Sequence, residues 1–214
     1  MSYIAERRQE EKERRRAEIL DAAETVAASV GWDAMTVDQV ARKARLSRAL
    51  VYVYFKDKSD LMFGIGERAL AVLRSRFEEA VARHRRGLDQ IIAVGQAYIA
   101  FSQEFPVYFE VMARCELQSP DTGNLQANEE ACLQSGDAVR ELMHRALEGG
   151  VRDGSIRPDV GDAKVVAVVL WGFIHGIIQL SGAKAKVLAH DGMHTRELMD
   201  QALLMATRAL ASGK

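Results

Sequence analysis

The chain has 214 residues, 48% hydrophobic and 28% charged, with a net charge of −1, which is typical of a globular protein with one or two domains. The charged first residues predict no secretory signal, and the longest uninterrupted apolar run, 165–174, is too short to span a bilayer. We therefore expect a cytoplasmic protein with no membrane partner. Three prolines and abundant Ala, Leu, Glu and Arg favour an all-α protein, and Cys115 and Cys132 are expected to be reduced core residues.

Residues 1–14 are dominated by charge and carry no apolar stripe, so we expect a frayed helix or a mobile arm there. Such an arm either reaches DNA or only aids solubility, and the sequence leaves both readings open. A first helix is predicted over about Arg15–Val30, where apolar residues recur at helical spacing. Gly31 follows at the position where glycine commonly ends a helix.

The segment 36–58 predicts two short helices joined by a tight turn, the geometry of a helix-turn-helix. Thr36 is a good N-cap with Gln39 placed to complete a capping box, and Ser47 begins a second cap. Six basic and two acidic residues give the segment a charge of 6 − 2 = +4, so positive charge is concentrated there. A solvated basic face between buried helices is the alternative, but the double cap and the spacing favour DNA binding.

The rest of the chain predicts a helical bundle, for a total of about nine helices and no strand. Further helices are expected at about 59–86, 88–104, 106–117, 124–147, 162–180 and 195–210, with Ser59 as the cap of the first of them. A loop is expected at 119–123 and a linker at 151–161. We predict an arm at 1–14, a helix-turn-helix domain at 15–60 and a ligand-binding and dimerisation domain at 61–214.

The order of elements and the string SRALVYVYFKDK at 47–58 resemble the tetracycline-repressor (TetR) family of bacterial regulators. That family has a capped recognition helix ending in a Tyr-x-Tyr/His-Phe cluster, followed by a turn with Lys. The resemblance is strong over residues 15–70, and the motif Trp171-x3-His175-Gly176 is similar to one subgroup of ligand domains. It implies a homodimer that binds a double-stranded DNA operator and a small-molecule effector. Repressor is the family default, and activator stays open.

Two positions depart from the family pattern. The turn residue before Leu46 is usually Gly in the family, and here it is Arg45. Either the turn is altered, or Arg45 accepts left-handed strain of about 1 kcal/mol and gains a phosphate contact. The fourth position of the recognition helix is often Thr, and here Leu50 can only pack on thymine methyl groups.

The resemblance also implies roles for single residues. Arg48 can make a bidentate contact to guanine, whereas Tyr52, Tyr54 and Lys58 would contact phosphates and set the register. Tyr54 as a core residue and Lys58 as a solvated one are the alternatives. The predicted DNA-binding residues are Thr36, Arg45, Arg48, Ala49, Leu50, Tyr52, Tyr54 and Lys58.

Two further surfaces are predicted in the bundle. The helix at about 162–180 is more apolar than one core face requires, and the last helix has a coiled-coil-like seam, which together predict a four-helix dimer interface. A fully internal helix is the alternative. The predicted interface residues are Trp171, Ile174, Ile178, Leu198, Leu203 and Leu210. Aromatic and Met side chains at helical spacing are commonly core, but the resemblance favours an effector pocket. The predicted pocket residues are Tyr98, Phe101, Tyr108, Phe109 and Met112. His175 is expected to be a hydrogen-bonded core or interface residue.

Other classes of protein find little support. No nucleophile motif, phosphate-binding glycine loop or HExxH motif occurs, so we predict no enzyme and no cofactor. His190 and His194 have no carboxylate or Cys partner at metal-site spacing, so no metal is predicted. The alternatives that stay open are a helical protein-interaction module without DNA binding and a constitutive DNA-binding regulator without a ligand.

Overall fold

A computed structural model describes residues 3–118 and 125–213, which form ten α-helices. The helices are α1 Tyr3–Val30, α2 Val37–Ala44, α3 Arg48–Tyr54, α4 Lys58–Ala82, α5 Gly87–Glu104, α6 Pro106–Glu116, α7 Ala127–Arg152, α8 Ala163–Ala183, α9 Ala185–His190 and α10 Thr195–Leu210. No strand occurs in the described ranges, where a single isolated bridge joins Ile156 and Ala211. The predicted all-α class is confirmed. The loop expected at 119–123 and the helix start expected at Asn124 lie outside the described residues.

In the described residues the helix count is one higher than predicted, because α9, a short helix, lies between the two last predicted helices, 162–180 and 195–210. His190 is its last residue, and the backbone N–H of His194 donates to Glu197 Oε2 at 3.4 Å at the start of α10. Among residues 3–118 and 125–213, no group of three or more His, Cys, Asp or Glu side chains is placed to hold a metal ion.

Backbone contacts divide the chain into two compact units. The first unit lies within Met1–Ala69 and Val107–Gln134, and the second within Leu70–Pro106 and Ser135–Lys214. α6 and the first turns of α7 therefore belong with the three N-terminal helices rather than with the rest of the C-terminal bundle. α4 contributes 58–69 to the first unit and 70–82 to the second.

The first helix begins much earlier than the predicted Arg15, since α1 is continuous from Tyr3. Its exposed first half is lined by pairs three or four residues apart, including Arg15 with both Glu11 and Glu18. Each such pair stabilises a helix by only a few tenths of a kcal/mol, but several in succession extend it without an apolar stripe.

Two other helix ends differ from the prediction for identifiable reasons. α4 starts at Lys58 because Asp57 Oδ1 accepts from the N–H of Asp60 at 2.9 Å, so Asp57 rather than Ser59 provides the cap. α7 continues beyond the predicted end at 147, through Gly149 and Gly150, to Arg152. A Cβ on Gly87 would lie 2.1 Å from the backbone nitrogen of Gly150, so the two helices touch through bare backbone at this point.

The core of the first unit is built by apolar residues of α1 to α4. Ile19, Leu20, Val40, Val51, Phe55, Leu61 and Ile65 are fully or almost fully buried. Trp32 and Met35 are buried in the same cluster. This core fixes α2 and α3 against α1 and α4.

In the second unit, α8 packs against both α5 and α10. Asp162 caps α8 by accepting from the N–H groups of Lys164 and Val165. By length and composition alone, α8 is the one helix in the described ranges suited to cross a membrane. The uninterrupted apolar run 165–174 is shorter than this helix because His175 ends it, but the residues after His175 are again mostly apolar, so the mean hydropathy of the whole helix stays high. Much of its surface is exposed, including Val165, Val168, Val169 and Leu180.

Candidate nucleic-acid interface

The turn between α2 and α3 keeps the family geometry although its usual glycine is replaced. Arg45 has φ 57° and ψ 39°, a left-handed conformation, and in the described ranges it is the one non-glycine residue with positive φ. Its N–H donates to the Arg42 carbonyl at 3.2 Å, and the N–H of Leu46 donates to the Ala41 carbonyl at 2.9 Å. This pair of bonds is a Schellman motif. Of the two possibilities left open, the turn is unaltered and Arg45 adopts the strained conformation.

Both predicted N-caps are present. Thr36 Oγ1 accepts from the N–H of Gln39 at 3.3 Å, and Gln39 Oε1 accepts from the N–H of Thr36 at 2.8 Å, so the capping box is complete. Ser47 Oγ accepts from the N–H of Leu50 at 3.2 Å and starts α3. Local hydrogen bonds thus fix where each helix of the pair begins.

Arg48 is oriented by two neighbours on the exposed side of α3. Its Nε lies 3.2 Å from Asp38 Oδ1, and its Nη1 donates to Asp38 Oδ2 at 3.3 Å. Its Nη2 donates to the Tyr52 hydroxyl at 3.3 Å, and the guanidinium lies 5.4 Å from the centre of the Tyr52 ring. The hydrogen bond to Tyr52 and the charge of Asp38 raise the pKa of Arg48 further above its usual value. The cation is therefore held in place from the preceding helix and from its own.

The other predicted residues of α3 divide between surface and core. Ala49 and Tyr52 are exposed, whereas Leu50 is half-buried. Tyr54 is half-buried and packs against the core of the first unit, which supports the alternative that it is a core residue. Val53 was missed by the sequence reasoning, although it is 76% exposed. Its place four residues after Ala49, on the same helix face, could have revealed it.

Lys58 lies at the start of α4, and its side chain is held by two residues of the turn that follows α1. Its Nζ donates to the carbonyl oxygen of Asp33 at 3.1 Å and lies 5.4 Å from the centre of the Trp32 ring. The carboxylate of Asp33 accepts two bonds from Arg114 of α6, at 2.9 and 2.8 Å. The same contact lowers the pKa of Asp33. Sequence reasoning missed Asp33 and Arg114, since they are 81 residues apart and no local pattern joins them.

α6 also contacts α1 through Tyr108, one of the predicted pocket residues, in addition to its contact with Asp33 in the turn after α1. The Tyr108 hydroxyl donates to Glu24 Oε2 at 3.1 Å, and Arg68 of α4 donates to Glu24 Oε1 at 3.0 Å and to Asp21 Oδ1 at 2.6 Å. Burial, followed by the charge of Glu24, raises the pKa of Tyr108 to about 12. Three helices of the first unit are joined by these polar contacts.

The five predicted pocket residues fall in both units. Tyr108, Phe109 and Met112 belong to the first unit, where Met112 is buried and the other two are half-buried. Tyr98 and Phe101 belong to the second unit, and both are buried there. The assignment of these residues to an effector stays a prediction.

A buried polar pair lies in the second unit. The Tyr98 hydroxyl lies 2.7 Å from Nδ1 of His175, in surroundings that include the rings of Phe77 and Trp171. His175 is 8% exposed, and burial lowers its pKa. It is thus a hydrogen-bonded core histidine, as predicted.

The predicted dimer residues are only partly on the surface. Ile174, Ile178 and Leu210 are buried within the subunit's own core and have no area to offer a partner. Trp171, Leu198 and Leu203 are half-buried. The exposed apolar residues of these two helices are other ones, on a neighbouring face of each helix. Periodicity shows that a helix has apolar residues on several sides, but it does not show which side is covered by the neighbouring helices.

Comparison with known proteins agrees with this architecture. Residues 19–65 match the family model "Bacterial regulatory proteins, tetR family", and residues 91–211 match "Tetracyclin repressor-like, C-terminal domain". The HTH-type transcriptional repressor KstR2 of Rhodococcus jostii (strain RHA1) is 30% identical over 151 residues, which cover 70% of this chain and 71% of that protein. The HTH-type transcriptional regulator HbdR of Aromatoleum sp. (strain CIB) is 34% identical over 151 residues, which cover 68% of this chain and 62% of that one.

The fold is shared with a solved structure of lower sequence identity. The transcriptional regulator FadR from Bacillus subtilis, solved in complex with stearoyl-CoA, superposes with a TM-score of 0.69 at 18% identity. The match covers 90% of this chain and 98% of that one.

A helix-turn-helix whose capped recognition helix presents an exposed arginine, followed by a helical bundle, is the architecture of a DNA-binding transcriptional regulator. The chain belongs to the TetR family. It is a DNA-binding transcriptional regulator, as predicted. Regulators of this family bind DNA operators and small-molecule effectors, typically as dimers, and act on DNA in the cytoplasm.

Proposed function

We propose that this chain is a homodimeric cytoplasmic repressor that binds a near-palindromic operator through α3 and releases it when a small, largely apolar effector binds. In this role it carries out no catalysis. The observation that carries the proposal is the exposed face of α3, where Arg48 is held ready by Asp38 and Tyr52. An exposed arginine fixed on a recognition helix is suited to read guanine in the major groove.

The remaining contacts follow from their positions around Arg48. Ala49, Leu50 and Val53 present apolar groups that would pack on thymine methyl groups. Thr36, Arg45, Tyr52 and Lys58 would bind phosphates and set the register of the protein on the duplex. Tyr54 would act mainly through the core, since it packs inward.

Dimerisation is supported by an exposed apolar face on α8 and α10. Val165 and Val169 are each more than half exposed, and Leu204 and Met205 of α10 are also exposed. On the same face of α8, a Cβ added to Gly172 or Gly176 would meet nothing within 4 Å in this chain. Small residues at this spacing would let a second helix approach closely. A second copy of the chain would cover this face and set the distance between the two recognition helices.

The effector is best sought among molecules with an apolar body and one hydrogen-bonding group. The Tyr98 and His175 pair provides a polar anchor among aromatic rings, the usual arrangement of a small-molecule site. The B. subtilis FadR, which shares the fold, was solved with stearoyl-CoA. Fatty acids fit the description of an apolar body with one hydrogen-bonding group, and acyl-CoA thioesters, whose acyl chain is apolar although coenzyme A is large and charged, are tested beside them because of the FadR complex.

The test uses the full-length protein and DNA from the promoter of its own gene, with binding followed by fluorescence anisotropy. We expect tight, salt-sensitive binding that weakens when a fatty acid or an acyl-CoA is added, and less response to it in a Tyr98→Phe variant. Leu117→Ala, a change at an exposed leucine, is the matched control and should respond like the wild type. Operator binding that no compound weakens would favour a constitutive regulator. No salt-sensitive DNA binding at all would favour a protein-interaction module.

A further inference from the structure

The two cysteines of the chain face each other in the first unit. Cys115 lies near the end of α6 and Cys132 near the start of α7, and both pack against Gly66 of α4. The two Sγ atoms each lie 3.0 Å from the point where a Cβ on Gly66 would stand. Only a glycine leaves room for both sulfurs at this place, and the two thiols share it with no other side chain between them and the helix backbone.

The two thiols are also electrostatically linked. A hydrogen bond from Cys115 lowers the pKa of Cys132, whereas the same bond, followed by burial, raises the pKa of Cys115. Cys115 is half-buried, and its Sγ also lies 3.8 Å from the carbonyl oxygen of Met62. Cys132 is 6% exposed, so only a small oxidant can reach it. One sulfur is thus suited to ionise while its neighbour keeps its proton.

We propose that Cys115 and Cys132 form a reversible intramolecular disulfide when hydrogen peroxide or a small alkyl hydroperoxide reaches the protein, and that this bond weakens operator binding. The second half of the proposal rests on the proposed function. Neither cysteine can form an alternative intramolecular disulfide, because the chain contains just these two cysteines.

The chemistry balances with the hydroperoxide as the oxidant. The Cys132 thiolate attacks one peroxide oxygen, the O–O bond breaks, and the leaving oxygen takes a proton to become water or an alcohol. The Cys115 sulfur then attacks the sulfenic acid formed on Cys132, and the hydroxyl leaves as water with the proton of Cys115. Two thiols lose two hydrogens in total, and the peroxide is reduced by two electrons.

The pair is connected to the DNA-binding surface by its neighbour in sequence. Arg114, next to Cys115, holds the Asp33 carboxylate through two hydrogen bonds, and the Asp33 carbonyl anchors Lys58. An S–S bond of about 2 Å is much shorter than a contact between two thiols, so its formation draws the end of α6 and the start of α7 together, and we infer that α6 shifts. Bidentate contacts tolerate little displacement, so the oxidised protein loses the geometry that holds Lys58.

The first part of the experiment examines the covalent step alone. Reduced protein is treated with hydrogen peroxide, the remaining thiols are blocked, and tryptic peptides are analysed by mass spectrometry. We expect a cross-linked peptide containing Cys115 and Cys132, a loss of two hydrogen masses from the intact protein, and full reversal by dithiothreitol. Sulfinic or sulfonic acids without the cross-link would overturn the proposal.

The second part measures operator affinity of the same samples. We expect the peroxide-treated wild type to bind about tenfold more weakly, with recovery after dithiothreitol. Cys115→Ser and Cys132→Ser should bind like the reduced wild type before and after treatment. A cross-link that leaves affinity unchanged would overturn the regulatory half. If a serine variant fails to fold, reversal of the wild type by dithiothreitol decides the question.

The two proposals fail in different ways. A reduced wild type that binds no operator refutes the proposed function, while the mass measurement still reports whether the disulfide forms. A reduced wild type that binds the operator but forms no cross-link refutes only the redox switch.

Discussion

Asp38 of α2 holds Arg48 of α3 across the helix-turn-helix, with Nε 3.2 Å from Oδ1 and Nη1 3.3 Å from Oδ2. The acid neutralises the cation in the free protein and also limits its rotamers. Because both partners are exposed, this pair contributes little to stability, and its value lies in orientation. Arg48 would enter the groove already aimed, with less conformational entropy to lose.

Arg48→Ala should flatten base preference at one position per half-site, by roughly tenfold, because a bidentate arginine discriminates guanine from other bases. Asp38→Asn should have the milder effect of strengthening binding to unrelated DNA while reducing preference at that same position. Affinities for a panel of operators with single substitutions measure both. Lys43→Ala, an exposed basic residue of α2, is the control and should weaken all operators equally. An unchanged base preference in Arg48→Ala would show that another residue reads this position.

Lys58→Ala should weaken binding to every sequence alike and reduce the slope of log affinity against log salt by about 1, because one phosphate contact is lost. The slope is measured by titrating DNA at several salt concentrations. Lys186→Ala, a lysine of α9 in the other unit, should leave the slope unchanged. An unchanged slope in Lys58→Ala would limit Lys58 to its contacts with Asp33 and Trp32.

Arg45→Gly should raise the melting temperature slightly, because glycine adopts φ near 57° without strain. The free energy of unfolding should rise by less than about 1 kcal/mol, since glycine also loses more conformational entropy on folding. The same variant should bind DNA more weakly at low salt if the guanidinium contacts a phosphate. Arg45→Asn, which also tolerates the left-handed region, separates strain from charge. A lower melting temperature in Arg45→Gly would mean that the arginine stabilises the turn by other contacts.

Val169→Glu should convert the protein to a monomer, because a charge buried between two copies of α8 costs on the order of a few kcal/mol. Leu203→Glu on α10 should act in the same direction. Sedimentation at micromolar concentration distinguishes monomer from dimer. Val151→Glu changes an exposed valine of α7 and should leave the dimer intact. A monomeric wild type would refute the proposed interface.

Protonation of His175 should destabilise the second unit. Burial lowers the pKa of this side chain below its ordinary value of 6.5, so the unfolded chain binds a proton at a higher pH than the folded one. The stability that the neutral His175 side chain contributes is therefore fully present above about pH 6.5, and it is lost as the pH falls through the pKa of the folded state. His175→Gln should show a smaller fall in melting temperature between pH 7 and pH 5 than the wild type. Equal falls in both proteins would assign the acid sensitivity to other groups.

Much of the candidate site could be predicted because short-range chemistry determines it. The caps at Thr36 and Ser47, the apolar spacing of α2 and the charge of the segment all lie within a few residues of each other. Such signals are readable before any tertiary contact is known. The same reasoning ended α7 at 147, whereas the helix continues to Arg152 and passes close to Gly87, a tertiary contact that no local signal shows.

By itself, the sequence determined the all-α class, the position of the recognition helix and the basic side chains in and around it. These depend on periodicity and capping, which act over one or two helical turns. Only the tertiary structure decided which face of α8 is covered, which residue anchors Lys58, and that His175 meets Tyr98. Arg114 and Asp33 are 81 residues apart and Tyr98 and His175 are 77 apart, so these pairs form only when packing brings distant helices together. Helical spacing specifies that a helix has an apolar face, whereas neighbouring helices decide which side chains that face buries.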